Sequence, residues 1–252
     1  EKNYDRMNRF KTGVLPYLLA LAVVAALLMM EPHLSGTILI CTVALSMIIV
    51  GGIRPMHFLE LAVTGVAAII GIVLYLSISK GYGYFQTRIQ SWLDPFADSQ
   101  GGTWQTCQSL IAIGSGGLFG LGLGESRQKY LYLPESHTDF IFPIIVEELG
   151  LVTGIIIILG YAYILSRILK IAKTSENLRC SILAYGTFWY FTLHILVNLL
   201  GVLALIPLTG VPLPFLSYGG SFTVNAIIMI FVVERVNIEN KINKTKREIK
   251  AL

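Results

Sequence analysis

The chain has 252 residues, of which 54% are hydrophobic and only 13% charged, with a net charge of +4 and a mean hydropathy of +0.69. Soluble globular domains carry about 25% charged residues, so this composition excludes an ordinary soluble domain. The positive balance follows membrane topology and contact with anionic lipid rather than forming a nucleic-acid surface, and no nucleic-acid partner is expected.

The hydrophobicity comes in blocks. Residues 13–30, 37–51, 58–78, 140–165, 181–206 and 213–233 are each long enough, or nearly so, to span hydrocarbon. None alternates strictly, so the blocks predict helices rather than the strands of a barrel. The expected fold is all-α: a polytopic bundle of about six spanning helices in one integral membrane domain over residues 1–252. The first block follows basic residues but is too long for a signal peptide and lacks a small-residue cleavage site.

Charge sets the orientation. Of the 19 basic residues only Lys80, Arg88, Arg127 and Lys129 fall within residues 79–138; the rest lie at the termini and in loops on the other side. By the positive-inside rule both termini are cytoplasmic, residues 79–138 form a long external segment, and residues 234–252 form a basic cytoplasmic tail beside lipid headgroups. Cys41, Cys107 and Cys180 have no spacing that suggests a disulfide or a metal site.

Within the external segment, KGYGYFQTRIQSWLDPF spaces Tyr82, Phe85, Ile89, Trp92 and Phe96 three or four apart, with Arg88 and Gln90 elsewhere on the turn. That pattern predicts an amphipathic helix in the interface. Residues 108–124, QSLIAIGSGGLFGLGLG, are apolar but broken by glycine, and read as re-entrant or packed against protein. Further on, PLTGVPLPFLSYGGS (207–221) interrupts two apolar blocks with proline and glycine, and carries Ser217 and Ser221. It reads either as a cavity lining or as an external loop leading into a helix.

LPESHTDFIFPIIVEELG (133–150) concentrates Glu135, His137, Asp139, Glu147 and Glu148 where the fourth apolar block begins. Asp139 suits an N-cap and the positive end of a helix, and equally a reactive carboxylate at the membrane edge. His137 alone reads as a loop histidine, and H-T-D is no metal motif. Glu147 and Glu148 lie within the helix, where acidic groups require a polar cavity or a partner on another helix. Arg88, Arg127 and Lys129 bring external positive charge that suits an amphiphile with an anionic head; anchoring of the loop is the alternative.

The stretches DPFADSQGGTWQTCQSLIAIGSGGLFGLGLG, GESRQKYLYLPESHTDFIFPIIVEELG and LTGVPLPFLSYGGS, in that order, resemble the SEDS family of FtsW, RodA and SpoVE. The resemblance runs the length of the chain, and EPHLSGT (31–37) is nearest in wording to the division and sporulation branches. It implies a peptidoglycan glycosyltransferase that polymerises lipid II outside the cytoplasmic membrane, in a fold of usually ten spanning helices; an amino-terminally truncated member is expected. The family's essential acidic residue falls on Asp139. The implied chemistry is attack by a sugar 4-hydroxyl on the anomeric carbon of the growing chain, expelling undecaprenyl diphosphate. A carboxylate that takes the hydroxyl proton contributes about 10²–10⁴-fold. Diphosphate needs its charge balanced rather than a proton, which sets this apart from two-carboxylate glycoside hydrolysis. Arg88, Arg127, Lys129 or a divalent cation (Mg or Mn) would balance it, and the sequence does not rank them. Glu135, His137 and Ser217 join the candidate substrate-binding set. The implied partners are undecaprenyl-linked glycan and a class B penicillin-binding protein. A precursor flippase, or a scaffold that recruits the transpeptidase, is the competing reading.

Overall fold

The computed structural model describes residues 10–30, 34–52, 89, 92–97 and 101–251. A π-helical turn, Phe10–Val14, leads into α1 (Leu15–Met30), followed by α2 (Leu34–Val50), α3 (Trp104–Ser115), the short α4 (Gln128–Leu131), α5 (Ile141–Thr174), α6 (Leu178–Val202) and α7 (Gly220–Ala251). No strand occurs among the described residues. Lys11–Leu28, Ile141–Thr174, Leu178–Val202 and Gly220–Lys250 are long and apolar enough to cross a membrane, and Ser35–Val50 is a shorter apolar helix. The protein is an all-helical membrane protein.

The expected span at 58–78 lies outside the described residues, as do Arg54, Lys80, Tyr82, Phe85, Arg88 and Gln90. Of the expected interfacial helix, Trp92 is described as helical, and both it and Phe96 are exposed. The last helix begins at Gly220 rather than near residue 213. Pro212 and Pro214 lack the N–H that a helix interior needs, and they hold that stretch non-helical. At the other end α7 runs on through the basic residues to Ala251. At 1.5 Å per residue it is about 48 Å long, well beyond a hydrocarbon core of about 30 Å.

The chain divides into two compact units. The first comprises Glu1–Thr64, Tyr163–Leu193 and Val224–Leu252. There α1 packs on α2, and Gly186 brings α6 so close to α2 that a Cβ would sit 2.8 Å from Met47 Sδ. Ala172, Cys180, Ala184 and Val236 form a core of mostly small side chains, the kind that lets helices in lipid approach closely. Polar ties fix the α5–α6 turn to α7: Asn177 Nδ2 donates to Glu239 Oε1 at 3.2 Å, Asn240 Nδ2 to the Ile171 carbonyl at 3.3 Å, and Arg247 pairs with Glu176.

The second unit comprises Gly65–Ala162 and His194–Thr223. Its central feature is a break in α5 at Gly150, with φ 83° and ψ 169°. The backbone groups freed there find partners in the glycine-rich segment after α3. The Leu121 and Gly122 N–H groups donate to the Glu147 and Glu148 carbonyls at 2.9 and 3.0 Å, while Leu151 and Val152 donate to the Gly117 and Leu118 carbonyls at 2.9 and 3.3 Å. Such pairing makes a broken helix tolerable in a membrane protein. It also explains the glycines: a Cβ on Gly116 would lie 2.1 Å from the Val146 carbonyl oxygen, one on Gly120 2.1 Å from that of Glu148, and one on Gly150 2.3 Å from that of Leu118. The backbone of residues 116–122 is thus held against α5, while the side chains of Leu118, Phe119 and Leu123 stay exposed.

Candidate functional site

The sequence LPESHTD folds as a succession of turns before α5. Glu135 adopts φ 57°, and its carbonyl accepts from the N–H groups of Thr138 at 3.1 Å and Phe140 at 3.4 Å. The tight wrap leaves Asp139 part-exposed just ahead of the helix. Thr138 Oγ1 lies 2.7 Å from Asp139 Oδ1, nearer than it comes to Glu135 Oε2 (2.9 Å) or the Glu135 carbonyl (3.0 Å). No backbone N–H of α5 donates to the Asp139 carboxylate, so of the two roles open to this residue the structure does not use the N-cap. On the other carboxylate oxygen, a Cβ at Gly210 would come within 3.5 Å of Oδ2. Gly210 has φ 67°, a conformation open to glycine, and it borders that side of the carboxylate.

Residues 207–219 close around this turn through a few specific polar contacts. Ser217, 4% exposed, donates from Oγ to the Thr138 carbonyl at 2.6 Å and accepts from the Leu213 N–H at 2.6 Å. The Tyr218 N–H donates to the His137 carbonyl at 2.8 Å. Tyr161 Oη donates to the Pro214 carbonyl at 2.5 Å, and Asn198 Nδ2 reaches the Asp139 and Val211 carbonyls, both at 2.7 Å. This irregular stretch is partly buried, with Val211, Leu213 and Pro214 among the buried residues and Phe215 and Tyr218 exposed. The His137 ring packs edge-on to Tyr218 at 5.9 Å, and both side chains are exposed.

A second cluster forms around the two glutamates. Glu147 is 0% exposed. Its carboxylate accepts from Ser126 Oγ at 2.5 Å, from the Arg127 and Gln128 N–H groups at 3.2 and 3.4 Å, and lies 3.3 Å from Ser115 Oγ. This is the partner that its depth in the helix demands, drawn from the loop rather than from another spanning helix. Glu148 lies 3.6 Å from Lys129 Nζ. Glu147 therefore anchors the segment that carries Arg127 and Lys129, whose side chains are exposed.

Asp139, His137, Glu135 and Ser217 thus come together on two facing segments. Arg127 and Lys129 belong to the glutamate cluster, where Lys129 pairs with Glu148 rather than with Asp139. Arg88 lies outside the described residues. Among those described, no three His, Cys, Asp or Glu side chains converge as a metal cage. A lone carboxylate suits a divalent ion shared with substrate phosphates, which takes one or two carboxylates. Reading the sequence missed Asn198 and Ser126. A lone asparagine inside the apolar run HILVNLLGV was the available signal, since polar groups at such depth need partners; Ser126 gave none.

The family model for the FtsW/RodA/SpoVE cell cycle proteins matches residues 1–242. Stage V sporulation protein E of Bacillus subtilis is 40% identical over 92% of this chain and 62% of its own length. A probable peptidoglycan glycosyltransferase FtsW of Trichlorobacter lovleyi is 38% identical over 92% of this chain and 59% of its own. The chain spans about three fifths of the length of these curated relatives. Among solved structures, a chain of a peptidoglycan synthase complex that coordinates polymerization and crosslinking superposes with a TM-score of 0.67 at 23% identity, covering 93% of this chain and 63% of that one. A mutant of the rod shape determining protein RodA of Thermus thermophilus gives 0.53 at 22% identity, covering 92% and 60%.

Proposed function

The chain belongs to the FtsW/RodA/SpoVE family of cell cycle proteins, and on that basis we propose that it forms the catalytic portion of a peptidoglycan glycosyltransferase. The substrate is lipid II, polymerised at the outer face of the cytoplasmic membrane. The observation that supports this reading is the Asp139 carboxylate: part-exposed just ahead of α5, unused as a cap, and bordered on its Oδ2 side by Gly210.

Asp139 takes the proton from the acceptor's 4-hydroxyl as that oxygen attacks the anomeric carbon of the growing chain. The C–O bond to undecaprenyl diphosphate breaks, and the leaving diphosphate keeps the electron pair. Arg127 and Lys129, held on the Glu147-anchored segment, offset its charge, with Arg88 as a further candidate. In the alternative role Asp139 would hold a divalent cation, which would supply positive charge for the diphosphate, instead of taking the proton. Glu135 and His137 line the approach, and Ser217 acts by holding the turn. Residues 79–138 face outward and both termini face the cytoplasm, following the distribution of basic residues. A class B penicillin-binding protein is the proposed partner; the structural neighbour in a synthase complex supports it.

A flippase would need acidic groups along a path through the membrane. Glu147 is instead buried and fully bonded, which favours the enzyme. The test is to supply labelled lipid II to the full-length protein in detergent, where no two compartments exist. Glycan strands are expected; movement of lipid II in vesicles without any polymer in detergent would replace the enzyme with the transporter.

A further inference from the structure

We propose that Asn198 is a positioning residue for the Asp139 carboxylate; this rests on the reading of Asp139 as the proton acceptor. Asn198 is 3% exposed and lies near the end of α6, in an otherwise apolar stretch. Its amide nitrogen makes two bonds of 2.7 Å, one to the carbonyl of Asp139 itself and one to the carbonyl of Val211. Val211 follows Gly210, the residue that borders Asp139 Oδ2. One rigid amide therefore fixes both the backbone from which the carboxylate springs and the backbone that bounds its Oδ2 side.

Asn198 Oδ1 is buried and accepts no hydrogen bond from any described residue. A buried acceptor left unsatisfied is a penalty that leucine, the type found at 196, 199 and 200, would not incur. The fold carries that penalty in return for two donor contacts, and both converge on Asp139 and its border. Because each goes to main chain, Asn198 itself occupies neither carboxylate oxygen of Asp139.

Misplacing a reacting group by 1 Å costs as much as about 100-fold in rate. Asn198→Ala is therefore expected to lower kcat for lipid II polymerisation by about 30-fold or more with KM within about threefold. The measurement is a double-mutant cycle on full-length protein whose fold is checked by thermal melting. It compares wild type, Asn198→Ala, Asp139→Asn and the double variant. If Asn198 works through Asp139, adding Asn198→Ala to Asp139→Asn costs little further. An equal loss in both backgrounds overturns the proposal, as does an Asn198→Ala enzyme within about threefold of wild type. A fully active Asp139→Asn protein overturns the proton-acceptor reading itself, so the two failures are told apart. Asn198→Asp keeps the size should the alanine variant fold poorly. Its carboxyl donates one bond when protonated and repels both carbonyls when ionised. Its activity relative to wild type is expected to fall as pH rises, and a flat ratio would contradict the positioning role.

Discussion

Ser217 Oγ donates to the carbonyl of Thr138 at 2.6 Å, joining two segments 79 residues apart in the chain. The same oxygen accepts the Leu213 N–H, so one buried hydroxyl sets the shape of the proline-rich loop and its distance from Asp139.

Ser217→Ala removes both contacts and leaves a buried carbonyl and a buried N–H without partners. The expected loss of stability is about 1–3 kcal/mol, with polymerisation reduced because the boundary of the carboxylate shifts. Thermal unfolding in detergent checks this, and an unchanged midpoint would show that the loop is held by other contacts.

Glu147→Gln tests the second cluster. The buried carboxylate gathers a hydroxyl and two backbone N–H groups, and hydrogen bonds to charged groups contribute about 1.5–3 kcal/mol each. The amide keeps one acceptor and turns a donor toward groups that also donate. We expect a destabilisation of about 2–4 kcal/mol, with the remaining activity sensitive to lipid II concentration because Arg127 and Lys129 lose their support. A variant of wild-type stability would mean that the loop finds its anchor elsewhere.

The outline of the fold was legible because hydrocarbon imposes length and apolarity on every span, and α1, α2, α5 and α6 lie where the apolar blocks put them. The motif singled out Asp139 as the candidate carboxylate, and the structure places it part-exposed just ahead of α5. What stayed hidden was pairing between distant segments. Nothing in the wording EELGLVTG announces that Gly150 breaks a helix, because the cause lies in residues 116–122, which supply the missing partners. The start of α7 was misplaced for a related reason: residues 213–219 are apolar enough to span, but their prolines and their contacts to residues 137 and 138 keep them irregular.

Gly120→Ala puts a methyl 2.1 Å from the Glu148 carbonyl oxygen at a φ of 84°, where neither backbone can yield. It is expected to abolish accumulation of folded protein. Gly114→Ala, with nothing within 4 Å on the same helix-to-loop run, is the control. It should be neutral or stabilising by about 0.5–1 kcal/mol. Equal behaviour of the two would contradict the interlock between this segment and α5.

Cys107 is 2% exposed, and burial pushes its thiol above the ordinary range. A membrane-impermeant maleimide should therefore label it slowly at neutral pH and faster as pH rises. The sign for stability follows: any contribution is fully present below the unfolded thiol's pKa and is lost as pH climbs through the folded one. The topology needs a better reporter. Tyr130, 67% exposed, replaced by cysteine should label promptly from outside intact cells. Labelling only after the cytoplasmic face is opened would reverse the orientation.

In the proposed mechanism the Asp139 carboxylate is the group that takes the proton. Asp139→Asn preserves size, and since no helical N–H bonds to that carboxylate it removes no cap. The measurement is polymerisation of lipid II by the purified full-length variant beside wild type, each with the proposed partner transpeptidase and each shown to melt normally. The account predicts a folded, partner-binding protein whose rate is down by about two orders of magnitude or more. A normally folded variant polymerising within about threefold of wild type would contradict it.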